Sequence, residues 1–262
     1  MTTTLEQILA QTVAGLPALR ARRADLERAA AQAPPRPGFL EGWDRRRVAL
    51  IAEVKRRSPS TGVISAGLDP VRHAIGYAAA GASAISVLTD GPFFGGSLRD
   101  LTAVAGVVDV PLLRKDFIVD EVQLLEARAA GAAAALLIVR ALEGARLDEL
   151  VRFATGLGLA PLVEVHDATE LDRALSTPAR FIGVNSRNLD TFAIDTDAAW
   201  SLIGRIPADR LAVAESGMAT VADVARAAAA GADAVLIGTA LSAAADPAAL
   251  AREFAGVERR GR

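Results

Sequence analysis

The sequence predicts an α/β fold, a closed (β/α)8 TIM barrel with an N-terminal helical extension. From residue 48 onward, short apolar runs with strand character alternate with Ala-rich segments of helical period. A near-repeat precedes three of these runs, at Ala80-Gly81-Ala82, Ala130-Gly131-Ala132 and Ala230-Gly231-Ala232. The copies precede the second, fourth and eighth of these runs and are spaced 50 and 100 residues apart. Two strand–helix units therefore take 50 residues, and a unit of 25 residues suits a barrel of eight units. A doubly wound open sheet is the alternative, but its G-x-G-x-x-G pattern after the first strand is missing.

Each predicted element follows from a local pattern. Apolar residues at helical spacing predict one amphipathic helix over residues 1–30, which Pro34 and Pro35 end. We expect a single domain over 1–262, with the extension over 1–47 and the barrel over 48–262. Each glycine of the near-repeat is expected to end a helix in the left-handed conformation. The predicted strands are Val48–Val54, Ala84–Leu88, Pro111–Arg114, Ala134–Val139, Ala160–Val165, Phe181–Asn185, Leu211–Glu215 and Ala234–Ile237.

Composition excludes several classes of protein. The 262 residues carry 31 acidic and 29 basic side chains, so a net charge of −2 gives no general attraction to nucleic acid or to an anionic membrane. The absence of cysteine excludes disulfides, thiolate metal sites and cysteine nucleophiles. There is no apolar run of signal-peptide character and none of the ~20 residues that a membrane span requires. We therefore expect a cytoplasmic protein without nucleic-acid or membrane partners.

Lysine is rare in this chain. The basic residues comprise 27 Arg and only two Lys, Lys55 and Lys115. A coding bias toward Arg explains the scarcity, and the two lysines are chance survivors unless a site requires them. Arg stays protonated at physiological pH, whereas a desolvated Lys can release its proton or form a Schiff base. Both lysines are therefore candidates for chemistry that Arg cannot perform.

Charged and polar residues stand at the carboxyl ends of five predicted strands. Strands covered on both faces should be almost wholly apolar, and in a barrel the carboxyl ends assemble the active site. Residues two apart share a face of a strand, so Glu53 with Lys55, and Asn185 with Arg187, can point into one mouth. A ring of ion pairs that merely closes the barrel is the structural alternative. The polar residues concerned are Glu53, Lys55, Lys115, Glu164, Asn185, Arg187 and Glu215.

Glycine turns after the seventh and eighth strands predict an anion site. Ser216-Gly217 and Gly238-Thr239 follow these strands, and this is where barrels commonly bind phosphate through backbone N–H groups. After the second strand, Phe93 and Phe94 are placed to bring aromatic surface over a ligand, whereas Ser97 suits a helix cap. His73 and His166 are interpreted as structural, and no residue cluster has metal-ligand spacing, so no metal is predicted.

These motifs strongly resemble the indole-3-glycerol-phosphate synthase family, in order and spacing, from about residue 5 to the end. The resemblance is carried by Ile51-Ala-Glu-Val-Lys-Arg-Arg-Ser-Pro-Ser60, Ser86-Val-Leu-Thr-Asp90, Leu113-Arg-Lys-Asp-Phe117, Val163-Glu-Val-His166, Ile182-Gly-Val-Asn-Ser-Arg-Asn188 and Ala214-Glu-Ser-Gly217. Ser186 and Thr239 depart from the residues common in the family. The family converts 1-(o-carboxyphenylamino)-1-deoxyribulose 5-phosphate to indole-3-glycerol phosphate, with loss of carbon dioxide and water, in tryptophan biosynthesis.

The resemblance implies a role for each site residue and requires no cofactor. Lys115 is the general acid at the substrate ketone, Lys55 contacts the anthranilate carboxylate and donates a proton in dehydration with Glu53 as its partner, and Glu164 is an acid/base. The substrate's ring and hydroxyls are oriented by Asn185, Arg187 and Glu215. Phosphate is held by Ser58, Ser216, Gly217, Gly238 and Thr239, and the aromatic ring by Phe94 and Phe117. The resemblance is also compatible with association with other tryptophan-pathway enzymes, which no sequence motif indicates.

Three other functions stay open on the sequence. A barrel aldolase would use Lys115 as a Schiff-base nucleophile. A phosphoribosylanthranilate isomerase resembles the chain less, and the cysteine base expected of it is absent. A non-catalytic phosphate-binding barrel would bind the substrate without converting it.

Overall fold

The chain forms a closed barrel of parallel strands surrounded by helices. The computed structural model describes residues 4–65, 67–189 and 191–261, so the outermost residues of the predicted 1–262 domain and of the predicted 1–30 helix lie outside the described residues. The strands are β1 Ala49–Val54, β2 Arg57–Ser58, β3 Gly62–Val63, β4 Ala84–Leu88, β5 Leu112–Lys115, β6 Ala134–Ile138, β7 Ala160–Val165, β8 Phe181–Asn185, β9 Leu211–Glu215 and β10 Ala234–Ile237. The helices are α1 Leu5–Arg20, α2 Arg23–Gln32, α3 Pro70–Ala79, α4 Leu98–Ala105, α5 Glu121–Ala129, α6 Arg146–Gly156, α7 Ala168–Leu175, α8 Thr196–Ile203, α9 Val221–Ala229, α10 Thr239–Ala243 and α11 Pro247–Ala255.

The predicted barrel is confirmed. Its strand order is β1-β10-β9-β8-β7-β6-β5-β4, and β4 pairs with β1 to close the ring. Predicted and observed strand bounds differ by a residue at the first, third and fourth barrel strands, and Lys115 belongs to β5. The near-repeat glycines Gly81, Gly131 and Gly231 have φ of 94°, 89° and 101°, as expected for residues that end a helix in the left-handed region. The strands β2 and β3 form a separate antiparallel hairpin that the sequence analysis did not predict.

The prediction of one amphipathic helix over 1–30 is wrong, because the extension contains two helices. α1 ends at Arg20 and α2 begins at Arg23. In a straight helix, Leu26 would lie about 15 Å along the axis from Leu16. The break instead lets both leucines join one buried cluster with Val122 and Leu125 of α5. Packing against the barrel therefore overrides the continuous helical period.

Alternating residues of the strands fill the barrel. Ala49 and Ile51 of β1 belong to the interior cluster, whereas Leu50 and Ala52 pack outward against the helices. The same alternation places Leu113 of β5 and Leu162 of β7 inside the barrel. The next inward position of each of these strands is polar, so the interior changes from apolar to charged near the carboxyl ends. This change defines the mouth of the barrel.

The extension also reaches the barrel interior. Leu5 of α1 is buried in the interior cluster, and the ring of Phe39 packs edge-on against Phe181 at the start of β8, with ring centroids 5.3 Å apart. Among the described residues, no helix combines the length and the apolar character needed to cross a membrane.

Candidate active site

A cavity of about 430 Å³ opens at the carboxyl ends of the barrel strands. All the residues to which the resemblance assigns a role line this cavity, whereas Phe93 does not. These predicted lining residues come from seven of the barrel strands and the loops that follow them. The predicted lining residues are Glu53, Lys55, Ser58, Phe94, Lys115, Phe117, Glu164, Asn185, Arg187, Glu215, Ser216, Gly217, Gly238 and Thr239. The structure thus brings the candidates together, while their roles stay predictions.

Lys115 stands at the centre of the charged mouth. Its Nζ lies 2.8 Å from Oε2 of Glu164 and 3.1 Å from Oε2 of Glu215. Burial alone would lower the pKa of Lys115, but the charges of Glu164, Glu215 and Glu53 raise it above its ordinary value. Lys115 is therefore a cation throughout the neutral range, surrounded by carboxylates.

The two glutamates beside Lys115 differ in protonation. Burial favours the neutral form of Glu164, but the charges of Lys115 and His166 hold its pKa well below the usual range. Burial raises the pKa of Glu215, and the nearby charge of Glu164 adds to that effect. One carboxyl is therefore ionised while its neighbour is kept largely neutral, the arrangement that separates acid from base in a single site.

Gly183 makes the room that Glu215 occupies. A Cβ at Gly183 would lie 2.1 Å from Oε1 of Glu215, so any side chain there would displace the carboxyl. Both carboxyl oxygens of Glu215 are buried; Oε2 is ion-paired with Lys115, and Oε1 has no hydrogen-bond partner among the described residues. A buried carboxyl oxygen without such a partner is suited to bind a hydroxyl of a ligand in the mouth.

Lys55 and Glu53 form a second ion pair at the mouth. Nζ of Lys55 lies 2.9 Å from Oε1 of Glu53, which confirms the predicted pairing of these two side chains. Glu53 is buried, and its Oε2 accepts a long hydrogen bond of 3.4 Å from Ser86. A Cβ at Gly238, which follows the neighbouring β10, would lie 2.2 Å from Oε1 of Glu53. Gly238 therefore makes room for this carboxylate, a function that the sequence analysis did not anticipate.

The loops after β9 and β10 form one end of the cavity, where the sequence predicts phosphate binding. Ser216 and Gly217 have φ of 66° and 72°, so two successive residues adopt the left-handed conformation. This conformation is uncommon for a non-glycine residue and redirects the backbone sharply. The short helix α10 begins at Thr239 without a side-chain cap at Gly238. Backbone N–H groups at such a turn and helix start can bind a phosphate.

Aromatic rings line the other end. The rings of Phe94 and Phe117 lie 5.9 Å apart. The loop that carries Phe94 is held by Asp90, whose Oδ1 accepts hydrogen bonds from the backbone N–H groups of Phe93 (2.8 Å) and Phe94 (3.0 Å). Ser97 caps α4 by accepting a hydrogen bond from the Asp100 backbone, so the loop both presents aromatic surface and begins a helix.

Asn185 and Arg187 connect the loop after β8 with the charged cluster around Lys115. The side-chain amide of Asn185 donates to Oε1 of Glu164 (3.1 Å), and its oxygen accepts from the backbone N–H of Arg187 (3.0 Å). Nη1 of Arg187 donates to the carbonyl of Phe192 (3.2 Å). Asn185 thus fixes the orientation of Glu164 and the start of the loop.

Part of the cavity lining was not predicted from the sequence. Leu136, Ile138 and Leu236 form apolar walls, and their inward positions on β6 and β10 follow from strand alternation. Phe192 and Ile194 line the cavity from the loop between β8 and α8, where no periodic pattern marks them.

His166 also belongs with the site, although the sequence analysis treated it as structural. It follows β7 immediately, its side chain is buried, and its Nε2 lies 3.3 Å from Oε1 of Glu164. Its two-residue spacing from Glu164 was the signal that could have placed it there.

Comparison with known proteins identifies close relatives over most of the chain. A family model described as indole-3-glycerol phosphate synthase matches residues 5–254. A protein named indole-3-glycerol phosphate synthase from Leifsonia xyli subsp. xyli is 51% identical over 229 residues, which cover 87% of this chain and 88% of the relative. One of the same name from a Nocardioides species is 49% identical over 251 residues, covering 95% of this chain and 93% of the relative.

Solved structures with lower sequence identity share the fold. A 3-hexulose-6-phosphate synthase superposes with a TM-score of 0.62 at 20% identity, covering 79% of this chain and 98% of that one. Thiamine phosphate pyrophosphorylase from Pyrococcus furiosus gives a TM-score of 0.61 at 16% identity, covering 80% and 95%. These two likenesses concern the barrel architecture alone.

Proposed function

The chain belongs to the indole-3-glycerol phosphate synthase family, and we propose that the charged mouth of its barrel carries out that family's reaction with the residues described above. The reaction is a carboxy-lyase step of tryptophan biosynthesis that converts 1-(o-carboxyphenylamino)-1-deoxyribulose 5-phosphate to indole-3-glycerol phosphate, carbon dioxide and water. The observation that carries the assignment of residues is that both lysines of the chain stand in this mouth, each paired with a buried glutamate.

Ring closure requires an acid at the substrate ketone. The ring carbon that bears the carboxylate attacks the ketone carbon, and the ketone oxygen gains the electron pair of the C=O bond. Nζ of Lys115 donates a proton to this oxygen, which forms the hydroxyl group. The developing alkoxide is a stronger base than an amine, so the transfer is favourable even though the neighbouring carboxylates raise the pKa of Lys115. The carboxylate then leaves as carbon dioxide and returns its electron pair to the ring.

Dehydration requires a second acid and a base. Lys55 donates a proton to the departing hydroxyl, which leaves as water, and Glu53 holds Lys55 in place through their 2.9 Å ion pair. Glu164 is the ionised carboxylate of the cluster and accepts the proton released as the indole ring forms. Glu215 is kept largely neutral by burial and binds a substrate hydroxyl.

The two ends of the cavity suit the two ends of the substrate. Phosphate binds at Ser216, Gly217, Gly238 and Thr239, supported by the turn geometry and the start of α10, and Ser58 contacts it from the β2–β3 hairpin. The anthranilate ring lies against Phe94 and Phe117. Arg187 and Asn185 orient the substrate between these ends.

Further proposals concern the chain as a whole. The extension and the barrel form a single domain, supported by the packing of Leu16 and Leu26 on α5. The ligand is a small phosphorylated molecule, and the protein works in the cytoplasm without nucleic-acid or membrane partners.

The direct test is to incubate the purified protein with the anthranilate-ribulose phosphate and to follow indole fluorescence together with carbon dioxide release. We expect both products in equal amounts. Binding of the substrate without either product would mean a phosphate-binding barrel instead. Borohydride trapping in the presence of a ketose phosphate is the parallel test of the aldolase alternative, and a covalent adduct on Lys115 would support that alternative.

A further inference from the structure

His166 is buried behind the catalytic cluster with both ring nitrogens facing carboxylates. Its side chain is 4% exposed, with Nε2 at 3.3 Å from Oε1 of Glu164 and Nδ1 at 3.0 Å from Oε2 of Glu170. His166 does not line the cavity, so it has no route to the substrate. Its influence on the reaction must pass through Glu164.

The geometry favours a charged ring. A neutral imidazole has one nitrogen without a proton, and here that nitrogen would face a carboxylate, lone pair against lone pair. A doubly protonated ring instead donates its Nδ1–H to Glu170 and places a positive charge 3.3 Å from Oε1 of Glu164, with which Nε2 makes an ion pair and no aligned hydrogen bond. Burial alone would lower the pKa of His166, but Glu164 and Glu170 raise it to about 9. His166 is therefore an imidazolium in the neutral range.

Glu170 of α7 fixes the outer side of the ring. Its Oε2 also accepts a hydrogen bond from the backbone N–H of His166 (2.8 Å), and its Oε1 accepts one from Nε of Arg140 (2.7 Å). Arg140 lies in the short 3₁₀ turn after β6 and also contacts Asp167, which is half-exposed. The ring is thus held at a set orientation by an ion-pair chain that runs outward to the surface.

Glu164 faces His166 on one side and the reacting groups on the other. Its side chain is 1% exposed, and it contacts Lys115 from β5 and Asn185 from β8. When Lys115 gives its proton to the substrate, it becomes neutral, and Glu164 loses its nearest counter-charge. His166 is then the remaining cation in contact with Glu164 among the described residues.

We propose that His166 is a positioning residue of the reaction, an imidazolium braced by Glu170 and Arg140 that keeps Glu164 ionised and oriented after Lys115 has donated its proton. The inference rests on the role of Glu164 proposed above. It assigns to His166 and Glu170 a function in catalysis although neither touches the substrate.

The charge of His166 can be measured without an activity assay. The chain has two histidines, so His73→Asn leaves His166 as its single imidazole, which NMR can titrate without overlap. We expect a titration midpoint near 9, and a lower midpoint when Glu164→Gln is added. A midpoint at or below the ordinary 6.5 would overturn the proposal.

The kinetic test compares His166→Asn with His73→Asn. Asn retains an N–H donor but no charge, so Glu164 should protonate more readily. We expect the acid limb of the kcat–pH profile to move up by about one unit, as removal of a neighbouring charge predicts, with KM nearly unchanged. His73, on α3 with its Nδ1 at 2.9 Å from the carbonyl of Asp69, does not line the cavity, and its replacement should leave the profile unchanged.

Glu170→Gln provides a second variant in case His166→Asn does not fold. Gln keeps the shape of the Glu170 side chain and removes the charge that favours the imidazolium. The acid limb of the kcat–pH profile should therefore also move up. If either folded variant gives a wild-type profile, or a uniform fall in kcat at all pH values, His166 is only structural. If the wild type forms no product, the proposed function itself is refuted. Failure of the proposed function is therefore distinguishable from failure of the role proposed for His166.

Discussion

Nζ of Lys115 and Oε2 of Glu164 lie 2.8 Å apart although their strands, β5 and β7, are not neighbours in the barrel. β6 lies between them and contributes Leu136 and Ile138 to the apolar wall. The ion pair therefore passes in front of β6 at the mouth, and burial strengthens the interaction because little water screens it. This placement leaves the Glu164 carboxylate in contact with Lys115 at the wall of the cavity.

The first prediction separates the two glutamates that contact Lys115. Glu164→Gln removes an ionised base, so kcat should fall by about 10²–10⁴-fold, as for loss of an acid–base group. Glu215→Gln replaces a carboxyl that burial already keeps largely neutral, so its effect on kcat should be much smaller. Steady-state kinetics at pH 7 measures both. Equal losses in the two variants would mean that Glu215 also reacts as a carboxylate.

Gly238→Ala tests the space that Glu53 occupies. The added methyl group would lie 2.2 Å from Oε1 of Glu53, so the carboxylate must move and its ion pair with Lys55 must weaken. From the sequence alone, a side chain at Gly238 should mainly raise KM by blocking phosphate. The structure predicts that kcat falls as well, by at least about ten-fold if the pair supports proton donation.

Gly156→Ala is the matched control for that substitution. Gly156 is the exposed last residue of α6, and an added Cβ would meet nothing within 4 Å. Its kinetics should equal those of the wild type. A Gly238→Ala enzyme with raised KM and wild-type kcat would show that Gly238 serves the phosphate and that Glu53 tolerates displacement.

Stability should depend on pH through His166. Its pKa rises from 6.5 in the unfolded chain to about 9 in the folded protein, so the folded state binds the additional proton between these values. The stabilisation is fully present below pH 6.5, decreases as the pH rises, and is lost above about 9. Chemical denaturation of the wild type and of His166→Asn from pH 6 to about 9.5 measures the difference in free energy of unfolding.

That difference should be largest at the acid end and shrink toward the alkaline end. His73→Asn provides the baseline for removing a histidine. A difference that stays constant over the range would mean that His166 stabilises the fold by packing alone.

Much of the site was predictable because strand alternation and barrel closure are regular. The two-residue period places Glu53 with Ile51, and Glu164 with Leu162, on the inner face, and the carboxyl ends of barrel strands meet at one mouth. The remaining features depend on distance between residues far apart in sequence. The contact of Gly238 with Glu53 arises where β10 pairs with β1, and the low pKa of Glu164 beside the raised pKa of Glu215 depends on burial and neighbours.

The N-terminal extension also shows that the spacing of apolar residues does not predict where a helix breaks. Apolar spacing marks helix over 1–30, but the break after Arg20 depends on how Leu16 and Leu26 meet α5. The contacts of His166 also depend on the fold, because its partner Glu170 lies in the first turn of α7, while Arg140 comes from a different unit of the barrel.

The measurement that tests the central assignment most directly is single-turnover kinetics of Lys115→Arg beside Lys55→Arg, with substrate binding measured separately. Arg keeps the positive charge but does not release a proton near neutral pH, so Lys115→Arg should bind the substrate and lose about 10²–10⁴-fold in the rate of ring closure. Lys55→Arg should show a mixed loss in binding and turnover. A Lys115→Arg enzyme within a few-fold of the wild-type rate would contradict the account, because Lys115 would then supply only charge.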